Sequence, residues 1–526
     1  MKSRLLIITL ICLFFLNRAP LTAQDIDWVK SFKSNDDEFV HDLCVDQQGN
    51  VFTTGRSGDS TDFDPGPGIF KLAQMQSAFV SKLDSAGNFK WVVGFDGWGD
   101  TDGKGIITDN SGNVYVTGTY AQQLQVSNSA ATLNGNGMFD VFVAKLNVNG
   151  NLLWLKNFGG KNWDEATEIA LDVFGNVYVL GYIDMDTVDM DPGPATHTLG
   201  FAHNEPMLVK LDNNGNFMNC FKFGSYDIKV DAQGFIYTNS GLGISKFDSM
   251  GNILWTQAPK ANAIALDASG NVYATGSFNS YTDFDAGAGT QTIATAGNAD
   301  VYIQKISSNG SRLWLQNFGG SDADWVYGLD ASEAGYICIS GAFQLSADFD
   351  PGQATYSLTC QGSVNGFLLL LNEDGDFYGA RRFGGNHQDF ATAVAVGADG
   401  AIHVSGYFSS TAYFGTGTAG TYTLQSLPQG FHDAFVLKIN KLSVGMDELT
   451  TDYGIHLYPN PASGYVMLRT IETCDVILTS INGKTILEFK TTGGEVQLPL
   501  KDLAQGLYLL NISNKKSFRN FKLLVE

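Results

Sequence analysis

Apolar and polar positions along the chain fall into a phrase that recurs seven times. In residues 109 to 120, DNSGNVYVTGTY, a turn of Asp, Asn, Ser and Gly leads into alternating apolar and small residues. That pattern predicts a tight turn followed by a half-buried β-strand. Copies begin at Asp46 (DQQGNVFTTGRS), Asp172 (DVFGNVYVLGYI), Asp231 (DAQGFIYTNSG) and Asp267 (DASGNVYATGSF), with weaker ones at Ser332 (SEAGYICISGAF) and Gly397 (GADGAIHVSGYF). The turn glycines are Gly49, Gly112, Gly175, Gly234, Gly270, Gly335 and Gly400, in steps of 63, 63, 59, 36, 65 and 65 residues. Spacing that regular marks one supersecondary unit repeated in an array.

The second repeat resolves into four strands with no helix-period segment between them: residues 104–109, 113–120, 140–147 and 151–158. The third strand also has seven copies, from Phe79, Phe142, Leu208, Ile244, Tyr302, Phe367 and Phe435. The fourth carries Trp91, Trp154, Trp255 and Trp314, with GNFMNCFKFG and GDFYGARRFGG in two further places, so only six copies follow a third strand. The seventh stands at the other end of the chain, where DIDWVKSF places Trp28 and Phe32 with the spacing of Trp154 and Phe158. An N-terminal strand that closes the last unit predicts a ring: an all-β, seven-bladed β-propeller of four-stranded blades. An open solenoid would need polar caps at both ends, and none is legible. The step of 36 residues predicts one bare four-stranded unit without the excursion between second and third strands.

The GNVYVTG strand, the DVFVAKL strand that follows it and the Gly-Gly turn before an Asp make residues 25–442 resemble the seven-bladed propeller repeats of secreted bacterial proteins (SBBP type). The resemblance implies a fold and leaves function open, because propellers host both binding and catalysis.

The first 24 residues carry Lys2 and Arg4, an apolar run from Leu5 to Leu16 and the small-residue stretch Leu21-Thr22-Ala23, the pattern of a secretory signal peptide. That run is shorter than the ~20 residues of a spanning helix, and no later stretch is long and apolar enough to form one. A transmembrane segment in the mature chain is therefore not expected. Net charge is −22, unevenly spread: residues 454–526 carry 8 basic and 6 acidic side chains, residues 25–453 carry 21 and 48. A surface near −27 repels phosphate backbones, which argues against nucleic acid as a partner. Five cysteines lie beyond the signal, Cys44, Cys220, Cys338, Cys360 and Cys474, an odd set at unrelated positions. Cys44 and Cys338 fall within predicted strands as small apolar residues, and a Cys338–Cys360 pair is the one disulfide worth testing.

Four excursions carry an acidic phrase: Asp62 and Asp64, Asp189 and Asp191, Asp283 and Asp285, Asp348 and Asp350. Each pair shares one face of an extended segment. Asp beside Pro and Gly is what an Asx turn demands; the alternative is calcium, whose oxygen ligands would relieve the repulsion of paired carboxylates. Calcium is the only cofactor the chain raises. FGG followed by Asp164, Asp324 or Asp389 reads as a crossing between units, with the acid capping the turn. No HExxH, Cys-x-x-Cys, GxSxG or P-loop pattern is present, and seven histidines are scattered. No catalytic residue is therefore expected.

From Ile455 to Glu526 short alternating strands are separated by Asn-Pro, Asn-Gly, Gly-Gly and Gln-Gly turns, which predicts a small Ig-like β-sandwich after a linker at 443–454. Tyr458, Pro459, Asn460 and Pro461 at its start, Gly483 and Lys484 midway, Gly506 and Tyr508 near the end, and a basic, apolar terminus resemble the type IX secretion system sorting domain (type A). The resemblance implies passage across the outer membrane through the type IX machinery, and release or attachment at the cell surface. The whole reads as an exported binding, adhesion or scaffold protein whose ligand is a surface glycan or protein. The alternative is an extracellular polysaccharide hydrolase or lyase. Perturbed carboxylates with aromatic platforms in the central channel would favour the enzyme, and a small, apolar lining would favour binding or a structural role.

Overall fold

The computed structural model describes residues 26–526 apart from 73–76, 98–99, 225, 240–242, 286–288, 334, 416–421, 427–430, 441–455, 459–464, 471–472, 481–483, 493, 502, 514–517 and 526. The expected signal, the linker, Pro459, Asn460, Pro461 and Gly483 lie outside the described residues. Every regular element among those described is a β-strand. The chain divides into two compact units, Met1–Lys441 and Leu442–Glu526.

Among the described residues, seven antiparallel sheets with a core of four strands make up the first unit, together with a separate two-stranded hairpin of Thr187–Asp189 and Thr198–Gly200. In the second of them Thr101–Thr108, Val114–Tyr120, Asp140–Leu146 and Leu152–Phe158 follow one another in chain order. The seventh takes Asp389–Val396, Ile402–Ser409 and His432–Ile439 from the chain's later part, and its outer place is filled by Ile26–Ser31. Val29 pairs with Leu437 and Ser31 with Phe435, as the spacing of Trp28 and Phe32 predicts. First strands of successive sheets lie against each other, and that of the seventh lies against that of the first.

The repeated turn has one construction. Asp109 Oδ1 accepts the amides of Ser111 and Asn113 (2.9 and 3.0 Å), Asn113 Nδ2 donates to Asp109 Oδ2 (2.8 Å), and Gly112 takes φ +76°. Only glycine adopts that φ without strain, which is why its spacing is the clearest period in the chain. Asp46, Asp172 and Asp267 repeat the set.

Where the fourth strand carries a tryptophan, the indole joins that sheet to the next. Trp91 Nε1 donates to Val148 O (3.2 Å), Trp154 to Asn213 O (3.1 Å), Trp255 to Ser308 O (3.1 Å) and Trp314 to Glu373 O (3.2 Å), always in the following sheet's last turn. The turn glycine lies against the ring: a Cβ on Gly150 would come within 2.9 Å of Trp91. The third-strand lysine reaches the same carbonyl, Lys82 Nζ at 3.3 Å from Val148 O, with Nζ 4.8 Å from the Phe52 ring centre. Trp28 and Lys438, of the seventh sheet, both reach Ser85 O in the first (3.2 and 3.3 Å).

Two expectations change. Second and third strands are buried on both faces, not half-buried: every residue of Val114–Tyr120 and of Asp140–Leu146 is buried, because sheets cover both sides. The excursions are hairpins, but three of them extend the preceding sheet. Gln123–Val126 pairs with Phe89–Gly97, Ser346–Asp348 with Arg312–Gly320 and Thr411–Phe414 with Phe377–Gly385, giving six-stranded sheets. The fourth sheet, Ile228–Val230 to Ile253–Gln257, has only its four strands, as the short step predicts.

In the second unit a three-stranded sheet (His456–Tyr458, Tyr465–Thr470, Gly494–Pro499) and a four-stranded one (Thr485–Thr491, Cys474–Ser480, Gly506–Ser513, Phe518–Val525) contribute to one apolar core that includes Val466, Leu498, Val476 and Leu510. Tyr508 is buried, and its hydroxyl donates to Ala504 O at 2.8 Å. Gly506, at φ +147°, opens that strand, so both residues of the motif have local structural roles.

Candidate functional site

A cavity of about 740 Å³ is lined by the first strands of the first unit. Five of those strands carry a β-bulge in the same place, at His41, Lys104, Thr167, Tyr327 and Thr392. A bulge re-aims the side chains that follow, and acids stand there. Asp42 Oδ2 accepts Ile106 N of the next sheet (2.8 Å) and its Oδ1 accepts Leu43 N (2.8 Å). Asp227 Oδ2 accepts Ile264 N (2.8 Å), and Asp330 Oδ2 accepts Val396 N (2.8 Å), again one sheet on. Thr392 Oγ1 donates to Val40 O (2.7 Å), across from the seventh sheet to the first.

These acids share the cavity with Lys229, whose Nζ lies 2.8 Å from Asp227 Oδ1. Burial pushes the Asp42 carboxyl up to about 6, against the pull of its amide partners. Glu168 is raised well above the usual carboxylate range by burial and then by Asp42, and Asp330 is raised by burial. Burial opposes the Lys229 charge, yet Asp227, Glu168 and Asp42 hold it firmly protonated.

Towards the start of the same strands the side chains change character. His41 Nε2 lies 3.0 Å from Asp102 Oδ1, and Lys104 Nζ lies 2.9 Å from Asp102 Oδ2 and 3.4 Å from Glu165 Oε1. Burial works against the Asp102 charge, but His41 and Lys104 outweigh it and hold the carboxyl at about 2. Arg56 pairs with Asp100 at 3.4 Å. Aromatic rings flank these charges: Phe39 meets Tyr407 edge-on (4.9 Å), Tyr407 lies 4.9 Å from Phe390, and Phe139 lies 4.2 Å from Trp163. Tyr327 (41 %), Trp163 (52 %) and Tyr226 (55 %) remain exposed there.

The residues singled out from the sequence lie elsewhere. Asp62 Oδ1 accepts the amides of Asp64 (3.1 Å) and Phe70 (2.9 Å), and Asp64 Oδ1 accepts Gly66 N (2.8 Å). Asp189 with Asp191, and Asp348 with Asp350, repeat all three bonds; Asp283 accepts the amides of Asp285 and Gln291 (2.9 Å each). The residue between each pair, Phe63, Met190, Phe284 or Phe349, is buried. The four hairpins belong to separate repeats and are not brought together. Among the described residues no group of three or more His, Cys, Asp or Glu is arranged to hold a metal ion. None of the five cysteines, Cys338 and Cys360 included, is joined in a disulfide.

The cavity acids went unnoticed in the sequence although a signal existed. Asp42, Glu168 and Asp227 each stand four residues before a turn Asp (Asp46, Asp172 and Asp231), an offset visible once the repeats are aligned.

The architecture is that of an all-β protein built from many small antiparallel sheets, and its last residues carry an address. Residues 456–526 match the family described as "Secretion system C-terminal sorting domain"; the module is the type IX sorting domain, and it marks the chain for export to the cell surface or beyond. No helix among the described residues is long and apolar enough to cross a membrane. An uncharacterized WD repeat-containing protein of Acanthamoeba polyphaga mimivirus is 24% identical over 437 residues, 73% of this chain and 30% of that protein. The regulatory protein FlaEY of Caulobacter vibrioides is 22% identical over 229 residues, 40% of this chain and 23% of that protein. The chain thus spans less than a third of the length of the curated relatives it matches. A Bacteroides caccae protein of unknown function aligns with TM-score 0.30 at 10% identity, over 55% of this chain and 93% of that one. PorZ, a surface component of the type IX secretion system of Porphyromonas gingivalis, aligns with TM-score 0.18 at 11% identity, over 95% and 100%.

Proposed function

We propose that the seven sheets form a closed seven-bladed β-propeller, secreted or held at the outer cell surface, that binds a glycan or protein ligand at the mouth of its central cavity. The contrast along the first strands carries this reading. Deep in the cavity the oxygens of Asp42, Asp227 and Asp330 accept backbone amides and hold neighbouring sheets together. At the mouth, exposed Tyr327, Trp163 and Tyr226 stand beside His41, Lys104, Glu165 and Arg56. Convergent polar groups beside aromatic surface suit a ligand that is itself part polar and part apolar.

The test is a glycan-array screen and pull-down with the exported full chain, with calcium and with chelator. Truncating Tyr327 or Trp163 to Ala should weaken retention about tenfold, the ~1.4 kcal/mol that a moderate contact residue supplies. Retention unchanged in both variants, with folding intact, would remove the mouth as the site. Chelator-sensitive unfolding would assign calcium to the Asp hairpins, and insensitivity would leave them as turns.

The second reading is a polysaccharide-acting enzyme. The raised carboxyls of Glu168 and Asp42 in one cavity favour it. It requires chain cleavage that Glu168→Gln abolishes while binding survives.

A further inference from the structure

Buried acids face one another where the chain crosses between sheets. Asp164 N donates to Phe139 O (3.1 Å), Asp324 N to Ala299 O (2.9 Å) and Asp389 N to Val364 O (3.1 Å), which sets each acid beside the first residue of a third strand: Asp140, Asp300 or Asn365. All six side chains are at most 1 % exposed. The three first-named partners hold the loop before them alike. Asp140 Oδ2 accepts Asn136 N (2.8 Å), Asp300 Oδ2 accepts Ala296 N (2.7 Å) and Asn365 Oδ1 accepts Gln361 N (2.9 Å).

The remaining terminal atom decides the chemistry. In Asn365 it is Nδ2, which donates to Asp389 Oδ2 (3.1 Å) and Gly385 O (2.9 Å). In Asp140 and Asp300 it is Oδ1, buried and without a hydrogen-bond partner. The position that a Cβ on Gly319 would take is 2.7 Å from both Asp300 Oδ1 and Asp324 Oδ2, so these carboxylates close on the same point. Acceptors buried beside one another are relieved by a proton between them. Where the repeat places an amide donor, the two acids must supply an O–H.

We propose that in the folded protein at mildly acidic pH the pairs Asp140–Asp164 and Asp300–Asp324 each hold one proton, which lets Oδ1 of Asp140 and Asp300 donate across the crossing and clamps successive sheets. Each pair takes up one proton from solvent on folding. The charged groups facing the pairs oppose a second negative charge: Asp184 and Asp186 beside Asp164, Asp322 beside Asp324. Asp184 carries His203 on its outer side, and the Tyr120 phenol faces Asp140. An arginine serves only the Asn365 crossing, with Arg382 Nη1 3.1 Å from Asn365 Oδ1. Burial pushes Asp140 up to about 6 and Asp324 up to about 7, and it raises Asp300 and Asp164. Carboxyls raised on folding stabilise fully below their unfolded value, about 4, and that stability is lost as pH rises through 6 and 7.

The experiment is thermal unfolding of the full chain from pH 5 to 9, for the wild type, D140N/D300N, N365D and D300A. The wild-type Tm should fall by several degrees between pH 5 and 8. D140N/D300N should match or exceed the wild type at pH 8 with a flatter slope, and D300A should lose stability at every pH. N365D should fold at pH 5 and show a steeper slope than the wild type; it decides the matter if the double variant fails to fold. The infrared band of a protonated carboxyl should be present at pH 5 in the wild type, fade as pH rises to 8, and be diminished in D140N/D300N. An unchanged slope in both D140N/D300N and N365D overturns the proposal. So does a wild-type Tm at pH 8 that chelator lowers and D140N/D300N does not share, which would place a divalent cation between the acids.

Discussion

Two crossings in the first unit differ in one respect. Between the first and second sheets, Lys82 and Trp91 pair across the strands and both reach Val148 O in the next sheet's last turn. In the sixth sheet the same two positions are Leu370 and Gly379. The seventh sheet takes its fourth strand from the N-terminus, so no turn joins its third and fourth strands and no carbonyl waits there. The Lys–Trp pair is thus an address for the neighbouring turn and not a binding site. It is absent from the sixth sheet, and in the third, where Lys210 pairs with Asn219, Phe221 takes the tryptophan's place against the next turn's Gly251; it reappears in Lys438 and Trp28, which reach across to Ser85.

That comparison can be broken most severely at the closing strand. Trp28 is 6 % exposed, and Trp28→Ala should cost about 3–5 kcal/mol. Deletion of residues 26–31 should unfold the first unit at 37 °C or leave it open to association through the bared edge of His432–Ile439; circular dichroism and light scattering read both. Trp91→Ala, without a role in closure, should cost less, about 2–3 kcal/mol by denaturant melts. A Trp28→Ala cost no greater than that of Trp91→Ala would mean the N-terminal strand is an ordinary edge.

Smaller effects sharpen the contrast between buried and mouth acids. Asp102 is held at about 2, so its contribution is present above the unfolded value near 4 and lost as pH falls through 2. Asp102→Asn should remove about 1–2 kcal/mol of stability at pH 7 and flatten acid unfolding in that window. Asp42→Asn should cost about 1 kcal/mol, since one of the two side-chain oxygens that accept backbone amides survives. Asp62→Ala should cost about 0.5–1.5 kcal/mol, the value of a lost turn bond.

Much of the architecture was legible because local chemistry repeats. Asp, Gly and Asn at fixed offsets are what the turn needs wherever it occurs, so seven copies announced seven units. Trp28 matched Trp154 in spacing, and the strand it lies in pairs as that match requires. The acidic hairpins were found, with their carboxylates engaged by backbone amides. The cavity acids were not, because their partners Ile106, Ile264 and Val396 belong to neighbouring repeats, and in five of the first strands a bulge resets which way the side chains point.

By itself the sequence determined the all-β class, the number of repeated sheets, the strand that completes the seventh of them, and the C-terminal sorting module. These follow from periodicity and turn chemistry, which act over a few residues. Only the tertiary structure decided that second and third strands are buried on both faces, that hairpins extend the preceding sheet, and that Asp140 and Asp164 are buried at the same crossing. Each of those depends on which surface lies against which. A carboxylate on a strand has the same local signature whether water or another carboxylate stands opposite, and only packing settles its charge.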